Sequence, residues 1–244
     1  MEPTASASRA VPPALPAVAS PRTTAGLLAF TAGFVDTCGF IALFALFTAH
    51  VTGNFVLIGA ALAGHHAGII GKLLAFPVFI LAVALTHLFV IHHRRISRHT
   101  TRFVLAGQVL FLLLFLAIGV EAAPFAGGDQ PLAIVTGMMG VIAMAIQNAA
   151  SRTVFASLAP TTVMTGNVTQ IVIDLVDIAH PHAERAEALA RLRKMTLPVA
   201  TFTLGALAGA LGYRFAGFGC LVIPVLTTAA VLWEQAPARA AATR

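Results

Sequence analysis

The chain predicts an all-α integral membrane protein: six transmembrane helices plus two short half-helices, arranged as an inverted-topology internal repeat. Three observations carry that expectation. The composition is 58% hydrophobic and 10% charged, against about 25% charged in soluble domains. Eight apolar segments follow one another, two of them too short to cross a bilayer. Both short segments open on the same tripeptide, Thr-Gly-Asn, at Thr52 and again at Thr165, 113 positions later.

The elements follow in order. Residues 1–24 form a proline-rich tail without an apolar run of signal-peptide length, expected to be disordered and cytoplasmic. Ala25 to Phe47 is the first span, and Thr52 to Ala63 the first short segment. Leu73 to Ile91 and Phe103 to Val120 complete a first repeat over 25–120. The acidic loop EAAPFAGGDQ leads to a second repeat over 131–233. It is built from Leu132 to Leu158, the short Thr165 to Ile178, Met195 to Tyr213 and Phe218 to Trp233, before a tail over 234–244. At about 1.5 Å per residue, segments of 12 to 14 residues reach only about 18 to 21 Å of a hydrocarbon layer roughly 30 Å thick.

Charge decides between eight crossings and six. Eight crossings with a cytoplasmic N-terminus would leave nine Lys/Arg inside and six outside, a poor fit to the positive-inside rule. If each short segment enters and leaves on one side, thirteen fall inside and only Lys72 and Arg214 outside. Both termini are then cytoplasmic. The pI near 10.7 is accordingly a topology signal and not a sign of nucleic-acid binding. Aligned on the tripeptide, VTGNFVLIGAAL and MTGNVTQIVIDL share five of twelve residues. Three crossings per half is an odd number, so the second copy sits upside down relative to the first, as in many transporters.

AGFVDTCGF and FTAHVTGNFVLIG in the first half, with AIQNAASR and TTVMTGNVTQIVIDL in the second, resemble the YoaK-like family of bacterial multi-spanning membrane proteins, known by the label domain of unknown function 1275. The resemblance runs from about Gly26 to Trp233. It implies a multi-pass protein of the bacterial inner (plasma) membrane and supplies no substrate.

A backbone broken inside a membrane must find partners for its N–H and C=O groups, in protein or in a water-filled cavity. Thr52, Asn54, Thr165 and Asn167 carry groups suited to capping such a break, and Gly53 and Gly166 allow close approach. All six are expected to converge near the midplane and line a solute site, the half-helix ends favouring an anion. The alternative is that each tripeptide merely caps a buried helix. Asp36 lies about halfway along the first span, where an ionisable group is a functional-site hypothesis. It is expected near Gln147, Asn148 and Arg152, either as a proton or cation site with the two amides as solute ligands, or in a salt bridge with Arg152 that locks the halves together. His50 titrates near neutral pH and would gate or couple transport, unless it is a hydrogen-bonded structural histidine.

The remaining candidates have structural readings. Asp174 and Asp177 are expected at the membrane interface, and HPHAERAEALARLRK as an interfacial helix against anionic lipid. The histidine pairs at 65–66, 92–93 and 180–182 lack an accompanying carboxylate or thiol at metal-site spacing, so no metal or cofactor is expected. Cys38 and Cys220 read as small core residues. GALAGALG places Gly205, Gly209 and Gly212 where helices can approach closely, within the monomer or in a homo-oligomer. No nucleophile, base and orienter pattern or phosphate-binding loop occurs, which disfavours an enzyme. Two functions remain: a transporter or facilitator of a small solute, and a non-transporting assembly or signalling partner with a closed polar core.

Overall fold

The protein is described from a computed structural model covering residues 20–64, 68–93, 98–180 and 184–235. Most of the two expected tails lies outside these residues, as do His65, His66 and His182. Pro21 to Thr24, assigned to the first tail, instead form the first turn of α1. The described chain is helical, without strands: α1 (Pro21–Ala42), α2 (Gly53–Leu62), α3 (Ile69–His92), α4 (Arg98–Ala122), α5 (Pro131–Arg152), α6 (Met164–Ala179), α7 (Arg185–Ala216) and α8 (Val222–Glu234). A 3₁₀ turn, Gly217–Leu221, joins the last two. Five stretches are long and apolar enough to cross a membrane: α1, α3, α4, α5 and the run Arg185–Glu234.

Local chemistry explains the boundaries. The Ser20 hydroxyl accepts the Thr23 amide at 3.3 Å, and Pro21 supplies the preset φ suited to a first helical position. α1 stops at Ala42, five residues before the apolar run ends at Phe47. Phe44 and Ala45 there adopt φ of 54° and 64°, a left-handed conformation that side chains other than glycine rarely take. Lys72 of α3 holds this bend, donating from Nζ to the Phe44 carbonyl at 2.7 Å. α5 likewise ends at Arg152, short of Leu158. In both places apolar residues that could continue the helix instead form a loop that folds back. Hydropathy could not distinguish the two.

α7 carries the largest correction. The interfacial helix expected over His180 to Lys194 is not separate, since Arg185 to Lys194 are the first turns of a continuous 32-residue helix. At about 1.5 Å per residue that helix is about 48 Å long, more than the hydrocarbon needs, so its basic start projects beyond. Asp174 of α6, fully buried, accepts Arg191 Nε at 2.8 Å and Gln170 Nε2 at 3.0 Å. Arg191 also lies 3.6 Å from Asp177 and 3.7 Å from Glu187. The two aspartates read as interface residues thus tie the end of α6 to the start of α7.

The packing is organised around α1 and α5, whose apolar windows are 72% and 67% buried, against 17% for α3. α1 runs parallel to α7, and α3 to α5. α2 packs on α3 as α6 packs on α7, α4 and α8 meet each other, and α4 with α5 matches α8 with α1. Exchanging the two sets of four helices leaves this pairing scheme unchanged. Arg22 donates to the Arg193 carbonyl at 3.2 Å, which brings the starts of α1 and α7 together. At the other end Gly68 approaches Gly128, setting the start of α3 beside the α4–α5 loop.

The glycines of GALAGALG make the α1–α7 contact, as the small-residue spacing anticipated. A Cβ at Gly205 would collide with the Phe30 carbonyl oxygen, and one at Gly209 would lie 2.5 Å from that of Phe34. From the other helix, a Cβ at Gly33 would collide with Phe202 O. Backbone meets backbone, so the obstruction has no flexible side chain to move aside. Cys38 and Cys220, 182 positions apart, are buried with their sulfurs 3.8 Å apart.

Gly205→Ala is expected to cost about 1–3 kcal/mol through overpacking and to lower the melting temperature in detergent. Gly59→Ala on α2, where an added Cβ meets nothing within 4 Å, should leave it unchanged. Equal melting of both variants would contradict the backbone contact.

Candidate functional site

The two loops that follow the central helices fold back on polar side chains of those helices. In the first half, Asp36 of α1 is buried, and its Oδ1 accepts the main-chain N–H groups of Thr48 at 2.8 Å and Ala49 at 2.7 Å. The Thr48 hydroxyl donates to the same oxygen at 3.3 Å. His50 Nδ1 lies 2.7 Å from Oδ2. An oxygen that accepts consecutive amides leaves neither buried N–H without a partner. His50 keeps a side chain 32% exposed, with its ring edge-on to Phe202 of α7 at 5.7 Å. Nδ1 is thus paired with the carboxylate, and no hydrogen bond to Nε2 occurs among the described residues.

Asn54 completes this first cradle. Its Oδ1 accepts the Phe47 N–H at 2.9 Å and its Nδ2 donates to the Phe47 carbonyl at 2.9 Å, so one side chain satisfies both main-chain groups of a residue seven positions back. Gly53 is where the Phe47 ring comes close, since an added Cβ would lie 2.9 Å from its Cδ2.

The second half builds a related cradle from neutral groups. Gln147 of α5, fully buried, donates from Nε2 to the Leu28 carbonyl at 2.7 Å and to the Thr161 hydroxyl at 3.1 Å. Its Oε1 accepts Gln108 Nε2 of α4 at 2.7 Å. Thr162 donates to Asn148 Oδ1 at 2.6 Å, and Ser151 and Thr161 share a hydrogen bond of 2.9 Å. Asn167 Nδ2 donates to the Pro160 carbonyl at 2.8 Å, again seven positions back.

These positions revise several expectations. The tripeptides do not cap their own helices: neither α2 nor α6 has a side-chain cap, and both asparagines reach back along the loop instead. Thr52, Thr165 and Gly166 are exposed, and α2 packs on α3 while α6 packs on α7 and not on each other. The convergence of the six tripeptide residues on one site therefore finds no helix contact to support it. The bonding partners of Asp36 come from its own half, and no ion pair joins it to Arg152. Arg152 is exposed at the end of α5, lining a cavity of about 410 Å³ with Phe79, His87 and Asn148. Helix rise places Asp36 at the right depth in α1, but the loop reaches its carboxylate first.

Sequence reasoning missed Thr48, Thr161, Thr162, Gln108 and Phe202. A shared spacing could have found Thr161 and Thr162, because they follow Gln147 and Asn148 by fourteen positions and His50 follows Asp36 by the same number. Gln108 is a lone amide in an apolar run, with nothing local to mark its partner.

Asn54→Ala should destabilise the protein more than Asn167→Ala. The first strands two main-chain groups of Phe47 and the second only the Pro160 carbonyl, at about 1–3 kcal/mol for each buried group left unpaired. Thermal melts of the two variants check the order, and a larger loss for Asn167→Ala would overturn the cradle geometry.

Comparison with known proteins agrees with this helical membrane architecture. The chain is 30% identical over 163 residues, 65% of its own length and 69% of the relative's, to the UPF0700 transmembrane protein YoaK of Bacillus subtilis (strain 168). No solved structure matches. Residues 24–233 match the family described as protein of unknown function (DUF1275), and the chain belongs to that family of multi-pass membrane proteins.

Proposed function

We propose that this protein is a transporter or facilitator of a small solute in the bacterial inner membrane, built from two inverted halves, each with three full crossings and one re-entrant short helix. The path of the chain supports the inversion. After α1 the loop leaves Phe44, beside the start of α3, and returns to Asp36, about 9 Å back along the helix by its rise. α2 then leads out again toward Gly68. In the second half the loop leaves the end of α5, returns to Gln147 and Asn148, and α6 leads out to the start of α7. The starts of α1 and α7 lie together, so the two short helices exit at opposite ends. The 50-residue stretch Arg185–Glu234 is about 75 Å long by helix rise, enough for two crossings around Gly217, where φ is +52°. That gives six.

The observation that carries the functional reading is the Asp36–His50 pair, an ionisable couple inside the bundle held by the amides of a re-entrant loop. Such a couple can exchange a proton while the loop stays closed, and Phe202 places its imidazole against the other half. Reconstituted proteoliposomes, screened with small anions, metabolites and cationic drugs under an imposed pH gradient, test the reading. Uptake of some solute is expected, falling about a hundredfold or more in Asp36→Asn, the lower end of what a lost proton-transfer group costs. A second reading, the non-transporting partner, is favoured by the bonding of each cradle within the protein. It predicts that Asp36→Asn lowers the melting temperature while no solute moves in either form.

Topology is tested separately with reporter fusions after residues 98, 126 and 240. Cytoplasmic signals are expected at the first and third and an external one at the second, since thirteen of the fifteen Lys/Arg would then face inward. An external signal at 98 would remove the six-crossing arrangement.

A further inference from the structure

The first turns of α4 and the end of α8 form a groove that no part of the transport reading uses. It has a volume of about 440 Å³ and is lined by His99, Arg102, Phe103, Ala106, Leu232 and Trp233, together with Ala229. Arg102 is half-buried, its Nε is buried without a hydrogen-bond partner, and it forms no ion pair among the described residues. Glu234, next to Trp233 at the end of α8, has a buried carboxylate oxygen without a hydrogen-bond partner, and it does not pair with Arg102. The groove thus presents a guanidinium without an ion-pair partner among the described residues and an imidazole above an apolar floor. Phe103 and Trp233, 61% and 80% exposed, flank it.

We infer that this groove holds an anionic membrane phospholipid, the phosphodiester against Arg102 and an acyl chain along Phe103, Ala106 and Leu232. Arg102 is half-buried and makes no ion pair among the described residues, so the outer N–H groups of its guanidinium are free to take an acceptor in the groove, and a phosphate group supplies oxygens in the geometry they favour. A soluble anion would leave the apolar floor uncovered, whereas a lipid satisfies both. An exposed tryptophan beside a basic residue is also the side-chain pairing found at headgroup depth. α4 closes the first set of four helices and α8 the second, so a lipid here would bridge the two.

Trp233 is the single tryptophan of the chain, and its fluorescence reports on the groove directly. The full-length protein is reconstituted in vesicles of phosphatidylcholine in which a fraction of the lipid is either brominated phosphatidylglycerol or brominated phosphatidylcholine. Quenching should favour the brominated phosphatidylglycerol about fivefold, the preference one basic residue gives an anionic headgroup. The preference should fall to near one in Arg102→Gln, persist in Arg102→Lys, and be unaffected in Arg214→Gln at the other end of the bundle. Equal quenching by both lipids in the wild type overturns the proposal. So does a phosphatidylglycerol preference that survives Arg102→Gln, or one abolished by excess inorganic phosphate, which would assign the site to a soluble anion.

Discussion

The structure depends on one constraint: a backbone that leaves its helix inside an apolar bundle must find hydrogen-bond partners there. Each unsatisfied main-chain group in such surroundings costs several kcal/mol. The first loop meets this constraint with a carboxylate. Asp36 takes two consecutive amides on one oxygen and an imidazole on the other, and Asn54 takes both main-chain groups of Phe47. In the second loop a side chain meets the main chain where Asn167 donates to the Pro160 carbonyl, while Thr161 and Thr162 bond side chain to side chain with Gln147 and Asn148. The two loops share the asparagine that reaches back seven residues to a main-chain carbonyl. The charge is not shared, and that asymmetry makes the first cradle the chemically interesting one.

The close packing of α1 and α7 sets what the first cradle faces. Glycines at 33, 205 and 209 bring the two backbones into contact, which sets Phe202 edge-on to the His50 ring. Because the contact is backbone against backbone, it is rigid, and the Asp36–His50 pair is held against a surface from the other half of the chain. The matching central helix, α5, lies against the more peripheral α3, whose outer face carries exposed Leu73, Ile80, Leu81 and Leu88 suited to lipid. The cavity beside Arg152 opens at this looser contact. Under the proposed inversion, equivalent positions in the two halves thus differ in packing as well as charge.

Much of the architecture was legible in the sequence because membrane insertion reads composition and length. The helical class, the positions of the long apolar helices, the two short ones and the Gly205–Gly209 contact all follow from hydropathy, helix rise and the spacing of small residues. What hydropathy cannot register is whether an apolar residue continues a helix or turns back. Leu43 to Phe47 and Val154 to Leu158 continue the apolar runs of the helices before them, so hydropathy assigns these parts of the loops to the spans. For the same reason the start of α7 was read as a separate surface helix.

The sequence by itself singled out Asp36, His50, Asn54, Gln147, Asn148 and Asn167 as polar residues in apolar surroundings, since an unpaired polar group there is too costly to be incidental. Only the tertiary structure decided their partners. The sequence leaves Asp36 either a proton or cation site beside Gln147 and Asn148 or a salt bridge to Arg152, but the folded loop brings amides to within 2.8 Å, and short bonds to an adjacent backbone leave no need for a distant guanidinium. The tripeptides were expected to cap the helices they begin. Their asparagines instead close the loops they end, because the groups left unpaired lie seven residues earlier, where the chain turned.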